Sequence, residues 1–341
     1  MSDVATAPES GAPAKSGRPS LLSNSSFVRN IGLVVTLVVL IIVGTVLTGE
    51  RFASVDNLMT ILRLASALGV VAIGMTFVIT AAGIDLSVGA LMGLASVWAT
   101  TLATQTMAND VHWTIMLFTG VAVGAAAGLI NGIIIAYGNV VSFIATLAMM
   151  IAARGLAEII SDRKTQVLVV PEFKKFMLSD FLGIPMLVWI FIVVAIIGWV
   201  VLNRTTFGRR TVAVGGNPEA ARLAGINIKR HLVYIYTLCG ITAGLAGVMM
   251  VGRTTSGSST IGYMLELDAI AAVVVGGTLL IGGRGTIMGT VLGVLLFTTL
   301  TNVFVQNNLS ISAQSVMKGL IIVGAVLLQQ RFAKGKKKPK A

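Results

Sequence analysis

The stretch "IGLVVTLVVLIIVGTVLT", residues Ile31 to Thr48, is an unbroken apolar run long enough to cross a bilayer as a helix. Similar runs follow at residues 61–82, 88–103, 113–136, 141–159, 182–202, 231–252, 268–283, 285–305 and 312–330. Hydrophobic residues make up 55% of the 341 residues, charged residues only 11%, and the mean hydropathy is +0.92. A water-soluble domain of this size does not have such a composition. The sequence therefore predicts an all-α, polytopic transmembrane protein with about ten spans.

Two of these runs, 88–103 and 268–283, are shorter than a helix that crosses the bilayer on its own. We expect them to be tilted, broken, or paired with a neighbour as a re-entrant hairpin.

The two ends of the chain differ in composition from the apolar middle. Residues 1–26 are rich in Ser, Ala, Pro and Gly and predict a disordered cytosolic tail. The first apolar run lacks a signal-peptidase site, so residues 27–332 are expected to form one transmembrane domain. Residues 333–341 form a basic tail suited to anionic lipid. The single cysteine, Cys239, excludes an internal disulfide, and no metal site is predicted.

The distribution of Lys and Arg predicts the orientation. An even number of spans places both termini on one side, and a cytosolic assignment puts most of the loop cations in the cytosol. The remaining loop cations are Arg51, Arg63, Arg163, Lys164, Lys174, Lys175 and Arg253. The excess favours cytosolic termini by the positive-inside rule, and it makes a nucleic-acid partner unnecessary as an explanation of the +12 net charge.

The longest polar loop between spans, residues 203–230, contains the sequence "GGNPEAARLAGI" and faces the cytosol in this orientation. Asn217 is a good N-cap, and Pro218 suits the first helical position. Glu219 places negative charge at the positive end of the helix, and Gly225 supplies a C-terminal stop. The pattern predicts a short, isolated helix of two turns.

The faces of this helix differ in polarity. Ala220, Leu223 and Ala224 form a small apolar stripe, whereas Glu219 and Arg222 point elsewhere. Because two turns of helix are not stable alone, the stripe must pack on the same subunit or in a groove of a soluble partner.

Motifs of catalysis and nucleotide binding are missing. The sequence contains no P-loop, no H-E-x-x-H, no G-x-S-x-G and no Cys/His cluster. It therefore predicts a protein that is not an enzyme and that carries no cofactor of its own.

Three charged residues lie well inside apolar runs, where they would mark an ion-coupled carrier. Arg154 and Glu158 are four residues apart and are expected to neutralise each other, with a proton relay as the alternative. Lys318 has no local partner. It either snorkels to the interface or pairs with an acid from another span.

Two sets of glycines recur every four residues. They are Gly120, Gly124, Gly128 and Gly132 in the fourth run, and Gly285, Gly289 and Gly293 in the ninth. Such stripes allow helix backbones to approach closely in lipid. We therefore predict helix packing at both stripes, and the sequence leaves open whether either also lies between subunits.

The motif "GIDLSVGA", Gly83 to Ala90, places Asp85 between two apolar runs. Either Asp85 or Ser87 can cap the helix that follows, and a gate or a contact with a cytosolic partner is the alternative.

The outer loop from Ile160 to Phe181 carries mixed charges against the positive-inside trend. Its cations are Arg163, Lys164, Lys174 and Lys175. Such a rim favours a docking surface for another protein, where ion pairs adjust the encounter rate.

Four segments together resemble the permease subunits of ribose/xylose/arabinose-type ABC importers. They are "GIDLSVG" (83–89), "TTFGRRTVAVGGNPEAARLAGI" (205–226), "CGITAGLAG" (239–247) and "LDAIAAVVVGGTLLIGGRGTIMGT" (267–290). The resemblance covers roughly residues 30–330. It implies a multi-pass protein of the cell membrane, a second permease subunit, two cytosolic ATPase subunits that bind ATP, and an extracytoplasmic sugar-binding protein. It also implies that the helix in loop 203–230 couples to the ATPase.

The sequence thus predicts the transmembrane subunit of a sugar importer, and an ion-coupled secondary carrier is the alternative. The identity of the sugar is not readable from the spans. Their polar residues, such as Asn131, Thr146 and Asn302, are scattered.

Overall fold

The computed structural model describes residues 25–334, and the fold of these residues is all-α, as predicted. The helices are α1 (Ser25–Thr48), α2 (Glu50–Ala53), α3 (Val55–Thr80), α4 (Val88–Ala99), α5 (Leu102–Asp110), α6 (Thr114–Ala136), α7 (Ser142–Ser161), α8 (Pro171–Leu178), α9 (Met186–Arg204), α10 (Thr206–Gly216), α11 (Pro218–Leu223), α12 (Ile228–Thr254), α13 (Leu265–Val275), α14 (Ile287–Gln306) and α15 (Ile311–Lys334). Strand β1 (Gln166–Val167) pairs antiparallel with β4 (Ser256–Gly257), and β2 (Asp180–Phe181) pairs antiparallel with β3 (Ile184–Pro185).

Seven helices in the described part of the chain are long and apolar enough to span a membrane. They are α1, α3, α6, α7, α9, α12 and α14, and each coincides with a predicted apolar run. Helix α15 covers the last predicted run. Residues 1–24 and 335–341, which make up most of the two predicted tails, lie outside the described residues, whereas Ser25 and Ser26 already belong to α1.

The two short apolar runs are broken helices, which is one of the three expected arrangements. Helix α4 has only 12 residues and follows the non-helical segment 81–87, and α13 has only 11 residues and follows segment 255–264. The prediction of a span over 268–283 is wrong in its second half, because α13 ends at Val275. A turn follows in which Gly277, Gly282 and Gly283 have positive φ, a conformation that glycine adopts without strain.

Helix α12 lies at the centre of the bundle and packs against α3, α4 and α6. The first glycine stripe faces it. A Cβ on Gly124 would meet the backbone of Gly240 and Gly244, and a Cβ on Gly128 would meet the carbonyl of Tyr236. Because glycines on the facing sides of α6 and α12 have no side chains, the two backbones come into direct contact. This contact lies within one chain.

The second set of glycines contacts two different elements. A Cβ on Gly289 would meet the carbonyl of Gly276, and a Cβ on Gly293 would meet that of Ala272 in α13. Gly285 precedes α14 and lies against Thr80 instead. Only Gly289 and Gly293 thus lie on a shared face of α14.

Among the charged residues inside spans, Arg154 and Glu158 have partners that were not expected, and Lys318 has one of its two expected arrangements. Arg154 and Glu158 lie within electrostatic reach of each other, as expected, but they form no direct ion pair, and Arg154 donates to the carbonyls of Ser259 and Ile261. Glu158 instead accepts from Arg163 at 3.1 Å. A tertiary contact can offer the guanidinium better acceptors than the next helical turn does. The alternatives for Lys318 are decided in favour of pairing, since its Nζ lies 2.7 Å from Oδ2 of Asp268 in α13.

Candidate functional site

Helix α11 is held at both ends by its own sequence. The Asn217 side chain accepts a hydrogen bond of 3.0 Å from the backbone N–H of Ala220, and Pro218 occupies the first helical position. At the other end Gly225 has φ +81°, and its N–H donates to the carbonyl of Arg222 while that of Ile226 donates to Ala221. This pair of bonds is a Schellman motif, which satisfies the last carbonyls of the helix.

The two faces of α11 have different surroundings. Ala221 is buried and faces the bundle. Ala220, Leu223 and Ala224 are exposed, and Leu223 has 75% of its surface open to solvent. The apolar stripe inferred from the sequence therefore has no cover within the described part of this chain. Ala220, Leu223 and Ala224 together form an exposed apolar patch beside Glu219 and Arg222, and such a patch suits a protein contact.

Helix α10 was not predicted from the sequence, where its residues form part of the polar loop 203–230. The Thr205 side chain caps it by accepting from Gly208 N–H, and buried Thr211 and Val214 anchor it to the bundle. Oγ1 of Thr211 also lies 3.0 Å from Nε2 of His231 in α12. The Thr205 cap was a readable signal. Helix α10 attaches α11 firmly to the transmembrane helices.

The junction between α10 and α11 contacts two turns of the bundle at once. A Cβ on Gly215 would collide with the carbonyl of Thr80, where α3 ends, and with the backbone nitrogen of Gly283. The N–H of Gly283 in turn donates to the Thr80 carbonyl at 2.9 Å. The junction between α10 and α11 therefore packs against both the turn after α3 and the turn before α14. The sequence showed the glycines but not this contact.

The surface around α11 is cationic. Arg222 pairs with Glu219 at 2.6 Å and holds the pKa of that exposed carboxyl below its ordinary value. A cleft of about 420 Å³ lies beside α11 between α10 and α12, and its lining includes Arg210, Arg230 and Tyr234. Such a surface suits a partner with acidic groups.

Asp85 is completely buried, so it cannot contact a cytosolic partner directly. Its Oδ1 accepts from the backbone N–H of Ser87 at 2.9 Å and from the Ser87 hydroxyl at 2.6 Å. Ser87 is the N-cap of α4 but makes no capping bond with its own side chain. Asp85 therefore fixes the turn before α4, and the expected capping bond from Asp85 or Ser87 to the first turn of α4 is not formed.

The outer loop is an ordered segment anchored by aromatic packing. Phe173 of α8 is buried, and Phe176 stacks on Trp113 with ring centroids 4.6 Å apart. Arg163 and Lys164 pair with Glu158 and Asp162, whereas the exposed Lys174 and Lys175 have no ion pair within the described residues. Two of the four predicted docking cations are thus already paired with neighbouring acids.

The scattered polar residues of the spans serve the packing of this chain. Nδ2 of Asn131 donates to Ser87 at 3.0 Å, and Oγ1 of Thr146 accepts from the N–H of Leu86 at 3.1 Å. Nδ2 of Asn302 donates to Asn57 at 2.8 Å between α14 and α3.

The chain matches the family described as "Branched-chain amino acid transport system / permease component" over residues 57–326. It is 38% identical over 303 residues to the ribose import permease protein RbsC of Escherichia coli K12, covering 88% of this chain and 92% of that protein. It is 40% identical over 305 residues to RbsC of Bacillus subtilis 168, covering 89% and 93%. It is 37% identical over 346 residues to the L-arabinose transport system permease protein AraH of E. coli K12, covering 99% of each.

No solved structure matches the chain significantly. The family match extends over most of the transmembrane helices, from α3 to α15. Together with relatives 37–40% identical over nearly their whole length, it shows that this chain belongs to the family of membrane permease components of transport systems.

Proposed function

We propose that this protein is the transmembrane subunit of an ABC importer that carries a monosaccharide into the cell. The similarity to import permeases named for ribose and L-arabinose, over 86% or more of either chain, carries the proposal. A relative named for galactose and methyl galactoside, 36% identical over 338 residues, supports the same substrate class.

In this proposal the chain crosses the membrane ten times with both termini in the cytosol. The seven long helices and α15 supply eight crossings. Segment 81–87 with α4, and segment 255–264 with α13, supply the other two. The ends of the bundle agree with this arrangement, because Arg63, Asp180 and Arg253 lie at one end and α11 with the turn 276–286 lies at the other.

The partners follow from the same arrangement. A cytosolic ATPase binds the exposed stripe of α11, and ATP is bound by that subunit and not by this chain. An extracytoplasmic binding protein delivers the sugar to the outer loop, and a second copy of the chain completes the pathway. The chain itself performs no covalent chemistry.

The ion-coupled carrier has lost its main support. It rested on Arg154 and Glu158 as a proton relay, and their hydrogen bonds go to Ser259, Ile261 and Arg163 and not to each other.

Reconstituted vesicles test the proposal. The purified permease, its ATPase and its binding protein are reconstituted with ionophores that collapse the Na⁺ and H⁺ gradients, and labelled ribose, arabinose, galactose and leucine are supplied in turn. We expect ATP-dependent accumulation of a sugar. Uptake of leucine alone would favour an amino-acid importer, and uptake lost with the ion gradients would contradict the ABC assignment.

A further inference from the structure

The two half-helices α4 and α13 begin beside each other. A Cβ on Gly89, in the first turn of α4, would collide with the Gly262 carbonyl and with the Glu266 carboxylate. A Cβ on Gly262 would collide with the Gly89 carbonyl, and Gly262 has φ +75°. Glycine at both positions therefore allows the start of α4 to touch the segment that leads into α13.

This meeting point lies deep in the bundle. Gly247 of α12 packs against the carbonyl of Met92, three residues beyond Gly89 in α4. Helix α12 has 27 residues and is about 40 Å long at 1.5 Å per residue. Because α4 runs alongside α12, Gly89 lies close to the midpoint of α12, which is at the depth of the membrane centre.

From this depth the two half-helices run in opposite directions. The far end of α4 contacts segment 255–264 through the hydrogen bond of 3.2 Å between Ser96 and Ser258. The far end of α13 reaches Gly276, which lies against Gly289 near the α11 end. Facing half-helices with their positive ends at mid-depth are a common way to build a polar site within a membrane.

Arg154 supports the non-helical segment 255–264. Its guanidinium donates to the carbonyls of Ser259 and Ile261. Carbonyls outside helices need such donors inside a membrane unless they line a water-filled cavity. The guanidinium also lies within electrostatic reach of Glu266 and Tyr263.

Glu266 carries an acceptor that this chain leaves unused. The residue is 8% exposed, and its Oε2 has no hydrogen-bond partner within the described structure. This oxygen points at the first turn of α4. A buried carboxylate oxygen without a partner is costly, so a ligand donor that reaches it when the two half-helices move apart would stabilise it.

Tyr263 lies three residues before Glu266, within electrostatic reach of the same guanidinium, and 76% of its area is exposed. An aromatic face, a carboxylate and a guanidinium together suit a sugar, whose C–H face packs on the ring while its hydroxyls donate to the carboxylate.

We propose that Tyr263 and Glu266, with Arg154 holding their segment in place, form a mid-depth contact site for the transported sugar, on a surface that faces a water-filled path between two permease subunits. This site rests on the proposed function, because the sugar is the ligand assigned there. It goes beyond that function by naming residues of the path, and it makes the site incomplete without the second copy.

Water access at Tyr263 tests the site without requiring transport. The only cysteine, Cys239, is buried, so a Cys239→Ala chain gives a clean background for Tyr263→Cys. In the reconstituted complex we expect a charged, water-soluble thiol reagent to label Tyr263→Cys. Ile196→Cys is the matched control, since it is 58% exposed in the middle of α9 and is expected to face lipid and stay unlabelled. Equal lack of labelling at both positions would overturn the proposal.

Transport per ATP tests the carboxylate. Glu266→Gln keeps the shape of the side chain, and we expect it to lower sugar uptake per ATP hydrolysed at least ten-fold, with binding-protein-stimulated hydrolysis retained. Tyr263→Ala should act in the same direction, while Tyr263→Phe should stay near wild type. Glu50→Gln, at an exposed acid in the short helix α2, serves as control. Wild-type coupling in Glu266→Gln and Tyr263→Ala would overturn the site even if wild-type uptake is ATP-driven. Ion-driven wild-type uptake would overturn the proposed function instead and leave the labelling result standing.

Discussion

At the scale of single residues, Asn217 and Gly225 hold a helix of only six residues in a defined position. A helix this short has little stability of its own, so each capping bond is a large share of what keeps it formed. We expect Asn217→Ala to weaken the helix by about 1 kcal/mol and to lower ATP-driven uptake partially. Uptake measured in vesicles, with co-purification of the ATPase, checks this.

Asn217→Asp is the matched control, because Asp caps helices as well as Asn does. It should retain wild-type uptake. If Asn217→Ala and Asn217→Asp transport equally well, the cap does not matter to coupling.

Gly215 tests the junction that joins α11 to the two turns. Gly215→Ala would place a methyl group against the Thr80 carbonyl and the Gly283 nitrogen, which are backbone atoms that cannot give way cheaply. Overpacking of this kind costs about 1–3 kcal/mol. We expect a lower melting temperature and reduced uptake with the ATPase still bound.

The neighbouring Gly216→Ala is its control. The nearest atom to a Cβ there is the Gly283 Cα at 3.7 Å, an ordinary contact, so it should behave as wild type. Equal melting temperatures for Gly215→Ala and Gly216→Ala would show that the junction is loosely packed.

Residue spacing predicted the caps of α11 but not the partner of Arg154. Capping depends on residues within one turn, and all of them are visible in the sequence. The carbonyls that bind Arg154 belong to Ser259 and Ile261, more than a hundred positions away, and they become acceptors only because segment 255–264 is not helical. A local rule cannot find such partners.

At the scale of elements, the contact between α6 and α12 depends on glycine. Gly124→Leu or Gly128→Leu would insert a side chain against the backbone of Gly240, Gly244 or Tyr236. We expect each to cost about 1–3 kcal/mol and to lower the melting temperature in detergent.

Gly155→Leu in α7 is the control, because nothing lies within 4 Å of a Cβ at that position. Its melting temperature should stay near that of the wild type or rise. Unchanged melting in both stripe variants would mean that the two helices separate readily.

The outer loop gives a second prediction at this scale. Reversal of Arg163, Lys164, Lys174 and Lys175 to acids should slow docking of the binding protein at low salt, because rim charges mainly steer the encounter. Stopped-flow association rates at several salt concentrations measure the effect.

Lys174 and Lys175 should account for most of this effect, since Arg163 and Lys164 already pair with Glu158 and Asp162. A docking rate and salt dependence unchanged by all four reversals would show that the loop has another role.

The elements divide by length into those that the sequence predicts and those that it does not. The apolar helices of 19 or more residues, such as α3 and α12, were predicted because a backbone that crosses lipid must form its hydrogen bonds within the helix. The shorter α4 and α13 were recognised as irregular, but their boundaries were not. Helix α10 was not predicted because its buried residues, such as Thr211 and Val214, are too few to give a clear apolar period beside its charged residues.

At the scale of the whole molecule, the chain combines a rigid centre with two interrupted crossings. Helix α12 packs against α3, α4 and α6, while α4 and α13 start at mid-depth and run apart. The turns near Thr80 and Gly283 connect these interrupted elements to the α10–α11 junction. The class of the protein and the capped helix α11 were readable from the sequence. The contacts that join α11 to the transmembrane helices were not readable, because they link residues that are far apart in the sequence.

The central claim is that the exposed stripe of α11 transmits ATP hydrolysis to transport. ATP-driven uptake by Leu223→Asp in reconstituted vesicles tests it most directly, with hydrolysis stimulated by loaded binding protein measured in the same samples. Leu223 is 75% exposed, so the substitution should leave the permease folded and inserted, while the charge prevents its burial in the ATPase. We expect uptake and stimulated hydrolysis to be lost together. Wild-type uptake by Leu223→Asp would contradict it.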